Sequence, residues 1–315
     1  MKKYKVAVVG AGPTGGILAV YLKEKGLDVT LVDIWKEHMD AIEQQGLQIF
    51  GTVEKTVKFE ADKLKRSVKE LAGLDVDLVF IAVKTPFLKI VLENLKGMIP
   101  DNSLIVSHQN GAGTEELIAE AFGRERAFRD IINFAGNILG PGRIDMTFFN
   151  PPNYIGAAGI TAECYDRAQE IANVMTSPEF PVKFLKRKEF MNAVWMKVIL
   201  NSSLSPVCAI TDMTMAEALA HPGTRNVVSN IITEGITVTN AEGIEFEPDF
   251  HDVCMAYLEK GGHHRPSMLI DIELKKPTEI AFLNGKIVEM GRKHQISVPY
   301  NEATCAYIEA LESKF

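Results

Sequence analysis

The stretch VAVVGAGPTGGILAVYL, Val6 to Leu22, decides how the first half of the chain is read. It opens with a continuous apolar run, as expected of a strand covered on both faces. Glycines follow at 10, 12 and 15, and then an apolar segment from Ile17 to Lys25 that reads as a helix stopped by Gly26. The G-x-G-x-x-G pattern is weak alone and gains meaning between a strand and a helix. There Gly10 permits a tight turn, Gly12 lets an anionic group approach the backbone, and Gly15 lets the helix close on the strand. The free amides and dipole at a helix N-terminus stabilise phosphate. Gly10, Gly12, Pro13, Thr14 and Gly15 are therefore expected to hold a dinucleotide. The alternative is a nucleotide-free fold that uses the glycines for packing alone.

The second strand, DVTLVD, ends at Asp33, 23 residues after Gly10 and near the spacing of about 20 expected for a ribose-binding acid. A carboxylate accepts hydrogen bonds from a free ribose 2′-hydroxyl and repels a 2′-phosphate. NAD(H) is thus favoured, and Lys36, three residues on, keeps NADP(H) open. GAGPTG also opens FAD-dependent monooxygenases, which generally carry later Asp-Gly and Gly-Asp dipeptides. The sequence contains neither dipeptide, and its second half is helical, so the flavin reading falls behind.

Further strands are expected in LDVDLVFIAVK, in SLIVSHQNG and around Phe128 to Ile132, with EELIAEAFG helical between the last two. This alternation predicts an α/β fold: an N-terminal Rossmann domain with a doubly wound parallel sheet, binding ligands at the strands' carboxyl ends. NYIGAAG and PVKFLK still read as strands. From Lys188 the pattern is helical and punctuated by prolines. The expected organisation is a dinucleotide-binding domain over 1–187 and an all-helical substrate and catalytic domain over 188–315.

Composition sets the outer limits. Hydrophobic residues make up 46% and charged residues 24%, ordinary for a globular protein. The net charge of −7 argues against a nucleic-acid partner, which calls for a basic face. The four cysteines are widely spread, with no pair at zinc-ligand spacing, so they read as reduced thiols of a cytoplasmic protein and no metal is expected. The N-terminus lacks a signal peptide's cleavage region. No apolar run is read as approaching the ~18 residues of a membrane helix.

In the helical half, EFMNAVWMKVILNSSLSP (Glu189 to Pro206) is apolar nearly all round, which marks a buried helix. Lys197, Asn201 and Ser205 recur across it at i, i+4 and i+8, on one face. A lysine in such a helix either extends its head to water or serves chemistry. Serving chemistry, Lys197 would donate a proton to a carbonyl oxygen as hydride reaches the carbon, and Asn201 would orient the substrate. Farther on, in HHRPSMLIDIELKKPTEIAFLNG, Ser267 reads by itself as a helix N-cap and Glu279 as a first-turn acid. His263 and His264 read as solvated loop residues.

Together these pieces resemble the ketopantoate reductase (2-dehydropantoate 2-reductase) family over essentially the whole chain. The resemblance rests on GAGPTG, on VKT at 83–85, on QNG at 109–111, on WMKVILN, and most specifically on RPSMLIDIELKKPTEIAFLNG. It implies that Lys197 is the catalytic proton donor and that Glu279 contacts the cofactor–substrate assembly. Asn110 would lie near the nicotinamide, Lys84 beside the dinucleotide, and Asn201 and Ser267 at the substrate. It also implies a site in a cleft between the domains. Where the family usually has asparagines, this chain has Ser205, Met215 and His264, so the substrate shell departs more than the cofactor and proton-transfer parts. Ser205 is kept as a substrate-binding residue.

The implied activity is NAD(P)H-dependent reduction of a 2-oxo acid to a 2-hydroxy acid, with 2-dehydropantoate as default substrate and pantothenate biosynthesis as its setting. One alternative is a D-2-hydroxyacid dehydrogenase acting on branched or aromatic 2-oxo acids, which Met215 would suit. A more remote one is a non-catalytic NAD-binding sensor. The expected partners are the small 2-oxo acid and a second copy of the chain, with neither nucleic acid nor a membrane.

Overall fold

Four of the five residues of β1 (Lys5–Val9) are buried, as a doubly covered strand requires. The computed structural model, which describes residues 4–315, continues through α1 (Pro13–Glu24), β2 (Asp28–Val32), α2 (Lys36–Gln45), β3 (Leu47–Gly51), β4 (Lys55–Val57), β5 (Leu64–Lys65) and β6 (Leu78–Ile81). Then come α3 (Leu88–Leu95), β7 (Leu104–Ser107), α4 (Thr114–Phe122), β8 (Ala127–Ile131), β9 (Phe134–Gly140), β10 (Arg143–Phe149), β11 (Asn153–Ala157), α5 (Ala162–Met175) and β12 (Val182–Phe184).

Among the described residues, eight strands form one sheet in the order β12-β11-β8-β7-β6-β1-β2-β5. β1 lies between β2 and β6, so the strand order reverses there. Such a switch point is where doubly wound sheets bind ligands, beyond the strands' carboxyl ends. The sheet is parallel, as expected, except at one place: β8 and β11 pair antiparallel. Their connection carries the β9–β10 hairpin in place of a crossover helix, and an antiparallel pair needs no crossover. That hairpin joins β3 and β4 in a second sheet, β4-β3-β10-β9, which the sequence reading did not anticipate. Its apolar residues Leu47, Ile49, Ile144 and Met146 share a core with Ile17, Leu18 and Tyr21 of α1.

The described chain after β12 is helical: α6 (Arg187–Thr211), α7 (Met215–Ala220), α8 (Pro222–Ala241), α9 (Phe250–Glu259), α10 (Ser267–Glu273), α11 (Asn284–His294) and α12 (Pro299–Glu312), with one short 3₁₀ turn at Ile280–Phe282. The contacts divide the chain into two compact units. One holds the residues up to Val83 with Phe87–Gln109 and Gly113–Phe190; the other holds Met191–Phe315 with Lys84–Pro86 and Asn110–Ala112. The two short segments follow β6 and β7 and pack with the helices.

Two expectations about α6 change. First, α6 is long and apolar enough to cross a membrane by length and composition, alone in this among the described residues. Its most apolar window is 61% buried inside the protein, as befits a core helix. Second, α6 does not end at Pro206 but continues to Thr211. Proline has no N–H for the carbonyl four residues back, here Ser202 O. Asn284 Nδ2 supplies the missing donor at 3.0 Å. The same amide nitrogen donates to Asn301 Oδ1 at 3.0 Å, and Asn301 Nδ2 donates to Glu234 Oε2 at 2.7 Å. Asn284 and Asn301 are both fully buried, so this network replaces hydrogen bonds that water cannot provide.

Candidate active site

The three glycines of the turn do different work. Gly10 has φ +104°, and a Cβ there would stand 2.8 Å from the Ala82 carbonyl carbon. A Cβ on Gly15 would fall 2.0 Å from Gly10 O. Packing and backbone shape therefore explain both. Neither explains Gly12: its φ is −62°, and a Cβ there would meet nothing within 4 Å. Gly12 is the N-cap of α1, Pro13 opens the helix, no side chain caps it, and its first turn carries no acid. Its first-turn amides thus remain for an external anion. This open cradle fits the pyrophosphate of a dinucleotide, and a fold using the glycines only for packing would not require it.

Asp33 follows β2 as expected, but its carboxylate also braces the turn. Oδ2 accepts from Ala11 N at 2.7 Å and Oδ1 from Trp35 N at 2.8 Å. Two buried histidines, missed in the sequence, hold the turn's carbonyls. His38 Nε2 donates to Ala11 O at 3.0 Å, while its Nδ1 accepts from Gly142 N at 3.0 Å. Burial holds the His38 imidazole below its usual pKa, which keeps it neutral in this tautomer. His108 lies 2.7 Å through Nδ1 from Asp130 Oδ2 and 3.3 Å through Nε2 from Thr14 O. No motif signals either histidine, because each acts on backbone distant in sequence.

The helical unit collects the other candidates. On α6, Lys197, Asn201 and Ser205 are each half-buried, while Val198, Ile199, Ser202, Ser203 and Leu204 around them are buried. Ser205 Oγ accepts from Met268 N of α10 at 3.4 Å. Ser267 is exposed and is the first residue of α10, whose N-cap is Pro266, so the N-cap role is excluded. Glu279 is not a solvated first-turn acid. It is buried at the N-cap of the 3₁₀ turn, and Thr85 Oγ1 lies 3.0 Å from its Oε1. The same hydroxyl is 2.9 Å from Asn110 O. Asn110 Oδ1 is buried without a hydrogen-bond partner among the described residues.

Lys84 Nζ donates to Asp271 Oδ2 at 2.5 Å. Burial pulls the Lys84 pKa down, but the charges of Glu279 and Asp271 outweigh it and hold the ammonium above its usual value. Burial pushes the Asp271 carboxyl up to about 6, with Glu279's charge adding to the rise and Lys84 opposing it. Lys84, Asn110, Asp271 and Glu279 thus form one polar group, bridged in part by Thr85. Asp271 and Thr85 were missed, although they sit in the quoted SMLID and VKT motifs and were the polar residues there left without a role.

Not every singled-out residue joins this group. His263 and His264 are exposed, and no cluster of metal-ligating side chains occurs among the described residues. Met215 N donates to His264 O at 3.1 Å, and its side chain packs over Gly261. A pocket of about 340 Å³ lined by Val207, Thr211, Val227, Pro299 and Tyr307 contains none of the candidates.

Fold and turn together define a dinucleotide-binding α/β protein with a helical C-terminal part. Residues 6–159 match the family model for ketopantoate reductase PanE/ApbA, and 189–312 match its C-terminal model. The chain belongs to the ketopantoate reductase family. It is 26% identical over 313 residues to 2-dehydropantoate 2-reductase of Streptococcus pyogenes serotype M18, covering 98% of each chain. Among solved structures it resembles 2-dehydropantoate 2-reductase from Geobacter metallireducens (TM-score 0.87, 25% identity, 97% of this chain and 99% of that one). It resembles D-mandelate dehydrogenase with NADH and anilino(oxo)acetate similarly (TM-score 0.85, 25% identity, 98% and 99%).

Proposed function

We propose that this chain is a nicotinamide-dependent oxidoreductase that reduces a 2-oxo acid to a 2-hydroxy acid, with 2-dehydropantoate as the default substrate. The observation that carries the reading is the open cradle at Gly12 in a chain that also bears Lys197, Asn201 and the Lys84–Asp271–Glu279 group. Gly10, Gly12, Pro13, Thr14, Gly15 and Asp33 would hold the dinucleotide, with Lys84 and Asn110 as its further contacts. When bound, it supplies the hydride.

The chain's own residues handle the proton and the orientation. Lys197 holds a proton at Nζ and releases it to the substrate's carbonyl oxygen, and its charge favours the oxyanion that develops there. Asn201, Ser205 and Ser267 orient the substrate by hydrogen bonding. Glu279, fixed by Thr85, contributes a buried carboxylate beside the reacting groups, and Lys84 screens the charge of Glu279 and Asp271.

NADH is the favoured form. Asp33 is unsuited to a 2′-phosphate, and two cations of this region are paired with acids: Arg66 with Asp40 at 2.5 Å and Glu43 at 3.3 Å, and Lys36 with Asp40 at 3.6 Å. A second reading keeps the chemistry and changes the substrate to a branched or aromatic 2-oxo acid. The resemblance to D-mandelate dehydrogenase favours it. Four free thiols support a reducing, cytoplasmic setting.

The test is a panel of 2-oxo acids assayed with NADH and NADPH. The reading expects turnover of 2-dehydropantoate with NADH preferred. A higher kcat/KM for phenyl or branched 2-oxo acids selects the second reading. No turnover of any 2-oxo acid by protein that binds NADH would leave a dinucleotide-binding sensor.

A further inference from the structure

Trp35 occupies the N-cap of α2, where a short polar side chain would serve the helix and an indole cannot. Its ring lies parallel to that of His38, with centroids 4.8 Å apart and planes 10° from parallel. His38 is 1% exposed and locked at both nitrogens, to Ala11 O of the glycine turn and to Gly142 N. Trp35 is 39% exposed, its backbone is tied to Asp33, and Ile34 beside it is 86% exposed. A large flat apolar surface is therefore held rigidly in solvent, two residues beyond the carboxylate assigned to the ribose.

We propose that Trp35 is the stacking platform for the adenine ring of the dinucleotide and that His38 is the rigid backing that orients it. The assignment rests on the dinucleotide reading above. Adenine is joined directly to the ribose, so a base whose ribose lies on Asp33 falls next to the segment that follows β2. Every purine offers a π-face, and stacking on an aromatic side chain adds affinity without hydrogen-bond readout. One indole face is covered by the imidazole, and the 39% of Trp35 that stays exposed is surface on which a base can lie. Because His38 also holds Ala11 O, the platform and the phosphate turn share one buried anchor.

The experiment follows indole emission and affinity with 5′-AMP, ADP-ribose and nicotinamide mononucleotide as probes on the full chain. Adenine-containing probes are expected to quench wild-type emission, and Trp35→Phe is expected to lose that quench while keeping its 5′-AMP affinity within about 3-fold. Trp35→Ala is expected to weaken 5′-AMP and NADH by about 5- to 100-fold, the range for a lost base–aromatic stack, and to leave nicotinamide mononucleotide unchanged. Thermal unfolding of both variants checks that the exposed substitution leaves the fold intact. If wild-type protein binds 5′-AMP without quenching and Trp35→Ala binds it as tightly, the platform is overturned and the dinucleotide site stands. If wild-type protein binds neither 5′-AMP nor NADH, the dinucleotide reading falls and takes the platform with it.

Discussion

Asn284 Nδ2 donates to the Ser202 carbonyl, the one acceptor in α6 that Pro206 leaves without a backbone donor. A side chain 82 residues away thus completes the helix that carries Lys197, Asn201 and Ser205. Asn284→Ala should destabilise the protein by about 1–3 kcal/mol, the cost of stranding a buried acceptor. Pro206→Ala restores the N–H, so in that background the loss from Asn284→Ala should shrink. Urea unfolding of the two single variants and the double variant measures this coupling; full additivity would refute the account.

Gly12 and Gly15 should respond oppositely to the same substitution. Gly15→Ala drives a Cβ into Gly10 O and should lower stability severely or prevent folding. Gly12→Ala enters open space and should unfold at nearly the wild-type temperature while binding NADH more weakly. Calorimetry and a cofactor titration on both proteins separate the two roles.

Lys197 lies half-buried on α6, so its replacement removes little packing. Lys197→Ala should lower kcat by about 10²–10⁴-fold, the usual contribution of a general acid, with NADH affinity retained. Unchanged turnover by folded variant protein would remove Lys197 as the proton donor.

Asp271 sets a pH dependence whose direction follows from its raised pKa. The folded state holds this proton up to about pH 6, whereas an unfolded carboxyl releases it near its ordinary value of 3.8. The associated stability is therefore present below the ordinary value and is lost as pH rises through about 6. Asp271→Asn should flatten that fall in unfolding free energy between roughly pH 3 and 7. An unchanged profile would mean that Asp271 ionises normally.

Local patterns made much of the molecule legible. The apolar run of β1, the glycines at 10, 12 and 15, and Asp33 at the end of the second strand are all short-range signals of period and spacing. So is the i, i+4, i+8 face of α6, since helix geometry alone puts Lys197, Asn201 and Ser205 together. The β9–β10 hairpin, the antiparallel pairing of β8 with β11 and the passage of α6 through Pro206 were not legible, because each depends on a partner far along the chain.

By itself the sequence determined a strand, glycine turn and helix in succession, a helical second half and a lysine-bearing polar face, all properties of neighbouring residues. Tertiary structure alone decided which glycine is open, that Asp33 braces the turn, and that Lys84, Asp271, Thr85, Asn110 and Glu279 gather into one group. The reason is physical. Buried charges and polar atoms must find partners wherever the fold brings them, and those partners lie as much as 194 residues apart in the chain.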